Sequence, residues 1–369
     1  MTAEIHNTKD IIYVSSIPWN FSWHRQQEMM AYMAEHGFRV LFIEPCDKKH
    51  PFQKIFKQEC KNIWRLRPCG FPYERCSGFI NGANAKIANT EIKKAEQQLK
   101  FENPILWMDR VHGFDFEYYQ KNHFVVYDLV DEILAFGRVR NDRMLLNLEN
   151  RVLNRADVLL SSSQTLMERK IAQSGRAGTS IFLPNGVDCK RFEGVLQKQT
   201  RDDHDLTLGF IGHISKRRLN FGLIGKIAKK RKKWEIVFVG PGNETDKAEL
   251  SMLAPNIQVR DPVNGKEIPA VIETFDVGII PYNTDKLDMD YVFPRKACEY
   301  LAAGRAVVST PLKEVSCLEP YVSEAVDADQ FIEKIESAVY NTAVTAEDRR
   351  AFVQKYDWNY LMKGLLAVL

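Results

Sequence analysis

Short, continuously apolar runs separated by segments of helical length and period constrain this chain more than any other feature of its sequence. The runs occupy residues 11–14, 39–43, 105–108, 124–127 and 158–160, and then 206–211, 236–239, 257–259, 277–280 and 306–308. Strands that are apolar along both faces are typical of a parallel sheet that is covered by helices on both sides. The sequence therefore predicts the α/β class, with two doubly wound sheets.

A break in the pattern separates the two series. Residues 183–188 read Leu-Pro-Asn-Gly-Val-Asp, which is turn chemistry, and residues 197–205 are polar. At about 150 residues per domain, 369 residues suggest two domains. We expect the domains to face each other across a cleft, because ligands of such sheets bind beyond the carboxyl ends of the strands. The tail over 348–369 predicts one final amphipathic helix.

Composition excludes several functional classes. With 51 Lys or Arg against 48 Asp or Glu, the net charge is only +3, so no nucleic-acid partner is expected. No apolar run is long enough to cross a bilayer, the polar N-terminus does not resemble a signal peptide, and the seven cysteines are scattered, which together predict a cytoplasmic protein. Neither a G-x-G-x-x-G nor a P-loop motif is present, which argues against a dinucleotide oxidoreductase and a P-loop nucleotidase.

The most informative segment is 291–304, Tyr-Val-Phe-Pro-Arg-Lys-Ala-Cys-Glu-Tyr-Leu-Ala-Ala-Gly. Pro294 suits the start of a short helix and Gly304 the residue just beyond its end. Such a helix would begin at the carboxyl edge of the second sheet, where its free N–H groups favour an anion. Lys296 could neutralise a diphosphate, and Glu299 could accept two hydrogen bonds from ribose hydroxyls. The alternative is an ordinary surface pair between Lys296 and Glu299.

In this context the motif resembles the donor-binding helix of GT-B glycosyltransferases, and the resemblance covers nearly the whole chain. It includes residues 183–188, Gly209 to Gly212, and the closing Asp357-Trp358 pair. The similarity is greatest to bacterial enzymes of surface-polysaccharide synthesis, of the teichuronic-acid type and, more distantly, the xanthan-pathway glucuronosyltransferase. The resemblance implies a Rossmann-like acceptor-binding domain over 1–190, a Rossmann-like nucleotide-sugar-binding domain over 205–345, and a C-terminal helix over 346–369 that packs back on the first.

One departure from the family pattern bears on mechanism. Tyr291 stands where many retaining GT-B enzymes have a second Glu, eight residues before the ribose-binding one, so inversion is favoured. Three alternatives remain open. They are a retaining transferase without a protein base, a catalytically silent nucleotide-binding scaffold, and a sugar-nucleotide 2-epimerase.

An inverting transfer needs a group that takes the proton of the acceptor hydroxyl. Asp131 follows the apolar run at 124–127, and its placement is similar to that of the base in the xanthan-pathway enzyme, so we predict it as the catalytic base. Asp128 is the competing carboxylate, and a helix-capping or salt-bridge role is the alternative for Asp131.

The remaining predicted contacts are divided between donor and acceptor. The predicted donor site, for a UDP-sugar, comprises Glu299, Lys296, Lys216, Arg218, Gly212 and Tyr291. Cations and helix dipoles can stabilise the leaving diphosphate, so neither a metal nor another cofactor is expected. His24 and Arg25 are the predicted contacts to the acceptor.

A basic stretch over 47–75 predicts peripheral contact with the inner face of the membrane. It holds eight Lys or Arg against three acidic residues, and Phe52, Ile55 and Phe56 occur at helical spacing. Such contact would suit a lipid-linked saccharide acceptor. A merely solvated face is the alternative.

Overall fold

The computed structural model describes residues 8–21, 23–121, 123–134, 142–176, 178–195, 205–285, 287–340 and 343–369. The chain divides into two compact units, Met1–Pro184 with Met362–Leu369, and Asn185–Leu361. Residues 185–190 and 346–361 therefore group with the second unit, which differs from the predicted boundaries. No helix in the described ranges is both long enough and apolar enough to span a bilayer.

The first unit is built on an eight-stranded sheet. Its strands are β1 (Asp10–Val14), β2 (Arg39–Ile43), β3 (Ile55–Cys60), β4 (Ile63–Arg67), β5 (Ile105–Met108), β6 (Val125–Leu129), β7 (Val158–Ser161) and β8 (Thr179–Phe182), and its helices are α1 (Arg25–Glu35), α2 (Gly78–Leu99), α3 (Phe116–Tyr119), α4 (Asp142–Arg155) and α5 (Gln164–Ser174). The strand order is β3-β4-β2-β1-β5-β6-β7-β8. The central strands β1, β5 and β6 are buried along their whole length, as the apolar runs predict.

The helical spacing within the basic stretch is misleading. Residues 55–67 form a hairpin in which β3 pairs antiparallel with β4, so the helical reading of Phe52, Ile55 and Phe56 is wrong. Asn62 turns the chain between the two strands with φ of 64°. β4 continues the parallel sheet beside β2, and that pairing over-rides a weak local period.

The second unit is built on a six-stranded sheet with the order β11-β10-β9-β12-β13-β14. The strands are β9 (Thr207–Ile211), β10 (Glu235–Val239), β11 (Ile257–Arg260), β12 (Val277–Ile280), β13 (Ala306–Ser309) and β14 (Val322–Glu324), and the helices are α6 (Phe221–Lys230), α7 (Glu244–Ser251), α8 (Ile268–Glu273), α9 (Arg295–Ala302), α10 (Ala328–Tyr340) and α11 (Ala346–Val353). The last helix, α12 (Trp358–Leu366), is divided between the two units at Met362. All paired strands of the second unit are parallel. This is the Rossmann strand order, and the order reverses between β9 and β12.

The C-terminal segment is not the single helix that its periodicity predicts. α11 ends at Val353, and α12 begins only at Trp358. Asp357 lies between them, and its carboxylate accepts hydrogen bonds from the backbone N–H of Cys189, at 3.0 Å, and of Asn359, at 2.8 Å. The helix breaks because the chain here pairs with a distant segment that local periodicity does not report.

Candidate functional site

Two glycine-containing loops lie side by side where β9 and β10 end. Gly212 and Gly240 both have positive φ, 151° and 152°, and a Cβ on Gly240 would lie 2.1 Å from the carbonyl oxygen of Gly212. The Gly212 N–H donates to the Val239 carbonyl at 3.0 Å. Gly240 has no room for a side chain, and the positive φ of Gly212 disfavours one there, so this edge of the sheet presents bare backbone to a ligand.

The loop from Ser215 to Leu219 is held at the point where the strand order reverses. The side-chain amide of Asn283 donates to the carbonyl oxygens of Lys216, Arg217 and Leu219 at 2.9, 3.0 and 3.1 Å. Asn283 was not among the predicted site residues, although its place just after β12 is a signal that could have identified it. Its three hydrogen bonds fix the backbone that carries two of the predicted cations.

The helix α9 begins and ends where its sequence predicts. Pro294 is its N-cap, and Gly304, with φ of 73°, ends it. The Arg305 N–H donates to the Tyr300 carbonyl, and the Gly304 N–H donates to the Leu301 carbonyl, which is the Schellman arrangement. The two residues predicted to bind the donor, at positions 296 and 299, lie in the first two turns of this helix.

Lys296 is directed toward the loop after β9. Its ammonium group donates a hydrogen bond to the Tyr282 hydroxyl and lies 5.1 Å from the centre of the Phe210 ring and 4.9 Å from that of Tyr282. A Cβ on Gly212 would lie 3.2 Å from Cε of Lys296. The structure thus brings Lys296 and Gly212 together, and two aromatic rings hold the lysine in place.

Glu299 is buried, with 7% of its surface exposed, and Nε of Arg295 donates to its Oε1 at 3.0 Å. Lys296 and Glu299 therefore do not form the surface pair that was the alternative to a donor site. Lys296 contacts Tyr282, and Glu299 contacts Arg295. Glu299 lies one turn into the helix, and Arg295 orients its carboxylate.

The other predicted donor contacts lie in different surroundings. Lys216 is 59% exposed and forms an ion pair with Glu249 on α7, so its charge is partly neutralised. Arg218 is half-buried in the loop held by Asn283. Burial lowers the pKa of His213, and the positive charge of Arg218 lowers it further. Tyr291 is buried at the end of the short 3₁₀ turn Leu287–Tyr291.

In the first unit, Asp131 is exposed two residues beyond the carboxyl end of β6. The next residue, Glu132, is buried, and its Oε1 lies 2.8 Å from the ammonium group of Lys170. That ammonium group also lies 2.6 Å from Oε2 of the buried Glu149. On the other side, the Ser162 hydroxyl donates to the Val130 carbonyl at 2.9 Å. The loop that presents Asp131 is anchored at both neighbouring residues.

Asp128, the competing carboxylate, is fully buried and paired with Arg25. Nε of Arg25 lies 2.9 Å from Oδ2, and Nη2 lies 2.9 Å from Oδ1. The remaining Arg25 nitrogen, Nη1, donates to the carbonyl oxygens of Leu183 and Pro184. These contacts favour a structural role for Arg25 over the predicted contact to an acceptor, and they leave Asp128 enclosed.

His24 is half-buried at the N-cap of α1, where its ring stacks on that of Phe21. Asp109 is a carboxylate that the sequence analysis missed, although it directly follows β5. It accepts from the backbone N–H and the hydroxyl of Ser16, at 2.6 and 2.8 Å, and from the amide of Gln26 at 2.6 Å. Burial raises its pKa to about 6.

A large part of the second unit matches a known protein family. Residues 205–341 match the family described as "Glycosyl transferases group 1". These residues form a glycosyltransferase group 1 domain. The domain contains β9 to β14 and every predicted donor contact.

A curated relative is the putative teichuronic acid biosynthesis glycosyltransferase TuaH of Bacillus subtilis, 32% identical over 240 residues. The match covers 61% of this chain and 59% of that protein, so the chain spans less than two thirds of the relative's length. Among solved structures, sucrose-phosphate synthase from Thermosynechococcus elongatus aligns with a TM-score of 0.73 at 14% identity, over 97% of this chain and 98% of the other. The Anabaena Alr3699/HepE structure with UDP and glucose aligns with a TM-score of 0.65 at 15% identity, over 98% of both chains.

These matches confirm the GT-B fold predicted from the sequence, and residues 205–341 of the second unit form a glycosyltransferase group 1 domain. Within that domain, the structure places Gly212, Lys296 and the loop carrying Arg218 at the strand edge where the order reverses. Lys216 is turned toward α7. The assignment of these residues to a donor, and of Asp131 to catalysis, stays a prediction.

Proposed function

We propose that this chain is an inverting glycosyltransferase that moves a sugar from a UDP-sugar to a lipid-linked or polysaccharide acceptor in cell-surface polysaccharide synthesis. The observation that carries the proposal is the group 1 domain, in which Lys296 lies against the bare backbone of Gly212 while Glu299 lies one turn further into α9. The printed name of the Bacillus relative supports the polysaccharide role, and the HepE structure with UDP supports the nucleotide.

The donor site follows from the charges at this edge. The diphosphate lies against the loop at Gly212, where Lys296 and the N-terminus of α9 offset its charge. The carboxylate of Glu299, already oriented by Arg295, accepts hydrogen bonds from the two ribose hydroxyls. No metal or other cofactor takes part in the proposed step.

The reaction is a single displacement. The acceptor hydroxyl oxygen attacks the anomeric carbon, the bond from that carbon to the diphosphate oxygen breaks, and UDP leaves with the electron pair. The carboxylate of Asp131 takes the hydroxyl proton. Exposure of Asp131 supports this choice, because the neighbouring Asp128 is enclosed and paired with Arg25.

We also propose that residues 47–75 contact the inner face of the membrane. Phe52 and Tyr73 are each 69% exposed and Phe71 is 43% exposed. The rings of Phe52 and Phe71 contact each other edge to face, with centres 5.8 Å apart. An exposed aromatic pair among lysines is the composition that anionic lipid surfaces favour.

The test compares two variants with a control. Asp131→Asn should abolish sugar transfer and leave UDP affinity unchanged, whereas Glu299→Gln should weaken UDP binding by about 10- to 100-fold, since hydrogen bonds to a charged group contribute about 1.5–3 kcal/mol. Glu333→Gln, an exposed glutamate on α10, should change neither. Calorimetry with UDP and a UDP-release assay provide the two readouts.

The alternatives give different results in the same assays. A silent scaffold binds UDP but releases none from a UDP-sugar, and a 2-epimerase converts the donor with no acceptor present. A retaining enzyme gives a product whose anomeric configuration, read by NMR, matches that of the donor. Unchanged UDP affinity in Glu299→Gln would show that the donor site is misplaced.

A further inference from the structure

Three cations act electrostatically on His112 at the carboxyl end of β5. Arg110 is buried just after that strand, Arg75 is half-buried in the 3₁₀ turn Glu74–Cys76, and Lys48 is exposed beyond the end of β2. The pKa of His112 lies well below its usual value of 6.5, first because of burial and then because of the positive charges of Arg110, Arg75 and Lys48. Three elements of the first unit therefore bring positive charge to one place.

The compensating negative charge is small. Oε1 of Glu74 lies 3.4 Å from Nε2 of His112 and 3.6 Å from Nη1 of Arg110, and Oε2 accepts from Asn84 at 2.7 Å. Among the described residues, no carboxylate lies within ion-pair distance of Arg75 or Lys48. The negative charge of Asp109 also acts on Arg110, so two carboxylates face the three cations and leave an excess of about one positive charge.

Within the described ranges, two nitrogen donors of this group lack an acceptor. Nε of Arg75 and Nε of Arg110 are both buried without a hydrogen-bond acceptor in the part of the chain that the structure describes. Nη2 of Arg75 donates to the carbonyl of Ile133 at 3.1 Å, two residues beyond Asp131. Unpartnered buried donors are costly, and two of them in one cationic group are compatible with a bound anion.

The exposed aromatic rings lie on the same segment as these cations. Phe71 and Tyr73 come just before Glu74, and the amide of Asn84 donates to the Phe71 carbonyl at 2.8 Å while also contacting Glu74. Cations with an adjacent apolar rim match an anionic ester that carries a hydrocarbon chain.

We infer that Arg75, Lys48 and Arg110, together with His112, bind the phosphate or diphosphate of a lipid-linked acceptor beside Asp131. Arginine forks and a lysine point charge are suited to phosphoryl oxygens, and neutral His112 can donate one further hydrogen bond. This inference rests on the proposed function, since it assigns the acceptor of that reaction. It makes Arg75 both an anion ligand and a link to the loop of the catalytic carboxylate.

The experiment measures binding of farnesyl diphosphate by calorimetry with UDP held at saturation, so that the donor site is occupied. Arg75→Gln and Lys48→Gln should each weaken binding by about 10-fold or more, because each removes charge-assisted hydrogen bonds. Lys86→Gln, an exposed lysine on α2, is the matched control and should bind as the unaltered protein does. Arg75→Lys should recover part of the affinity and shows that folding is intact.

Two further ligands and one further variant separate the outcomes. Equal binding of farnesol would overturn the role of the anionic group, and equal binding of inorganic diphosphate would overturn the assignment to a lipid ester. Unchanged affinity in both Arg75→Gln and Lys48→Gln would overturn the site itself. Lys296→Gln should lose affinity for UDP and keep its affinity for farnesyl diphosphate. If no form of the protein binds UDP, the proposed function fails, and the farnesyl diphosphate series still tests this inference.

Discussion

Lys170→Met perturbs the buried ion cluster beneath the loop that presents Asp131. Lys170 is 1% exposed, and its ammonium group is shared between Glu149, also 1% exposed, and Glu132, 10% exposed. Methionine fills a similar volume, so the main effect is to leave two buried carboxylates without their cation. Breaking a buried ion pair in this way costs about 3–5 kcal/mol of the free energy of unfolding.

The remaining contacts recover little of that cost. Arg169 lies 3.5 Å from Glu132 but is 43% exposed, and the Tyr127 hydroxyl lies 3.4 Å from Glu149. At about 2–4 °C for each kcal/mol in a unit of this size, the melting temperature should fall by about 6–20 °C. Differential scanning calorimetry and urea unfolding measure the loss directly.

The pH dependence of this loss has a definite sign. Lys170 lowers the pKa of Glu149, so without it that pKa in the folded state rises further above the unfolded value of about 4.3. A raised pKa adds a penalty that grows as pH rises through it, so the deficit should be largest near pH 8 and smaller near pH 5. Burial already raises the pKa of Glu149 in the unaltered protein.

The matched control is Arg151→Met on the same helix as Glu149. Its partner is Glu117, and the two side chains are 62% and 56% exposed, so this variant should lose at most about 1 kcal/mol. If Lys170→Met costs no more than Arg151→Met, or if its deficit does not shrink at low pH, the cluster does not hold this loop as argued.

Two further predictions follow from contacts near the strand edges. Gly240→Ala should reduce UDP affinity at least about 10-fold, because its Cβ would collide with the Gly212 carbonyl. Gly82→Ala, a control position with open space around it, should bind UDP normally. Equal UDP affinities of the two variants would refute the close approach of the two loops. Between pH 7.5 and 5, the stability of the unaltered protein should rise by about 1.4 kcal/mol relative to Asp109→Asn, because the pKa of about 6 exceeds the unfolded value of about 3.9. If the free energies of unfolding of the two proteins change equally between these pH values, the raised pKa of Asp109 is contradicted.

Much of the fold was predictable because its signals are local. Apolar runs of strand length, the Pro294 and Gly304 ends of α9, and the rule that loops after parallel strands meet at one edge depend only on neighbours in the chain. They placed Lys296 and Glu299 on one short helix and Asp131 just after a strand, which is where the structure has them, on α9 and after β6. The same rule could have identified Asp109 and Asn283.

The partners of the charged groups are known only once the chain has packed, because they lie far away in the sequence. Arg25 meets Asp128 across 103 positions of sequence, and Asp357 breaks a regular helical pattern because it meets Cys189. Hydrophobic period and backbone preference act over a few residues, so the order of amino acids alone specifies which segments become strands and helices. Which carboxylate is enclosed and which is exposed depends on contacts between segments far apart in the chain, and burial, unlike periodicity, exists only once those segments have packed.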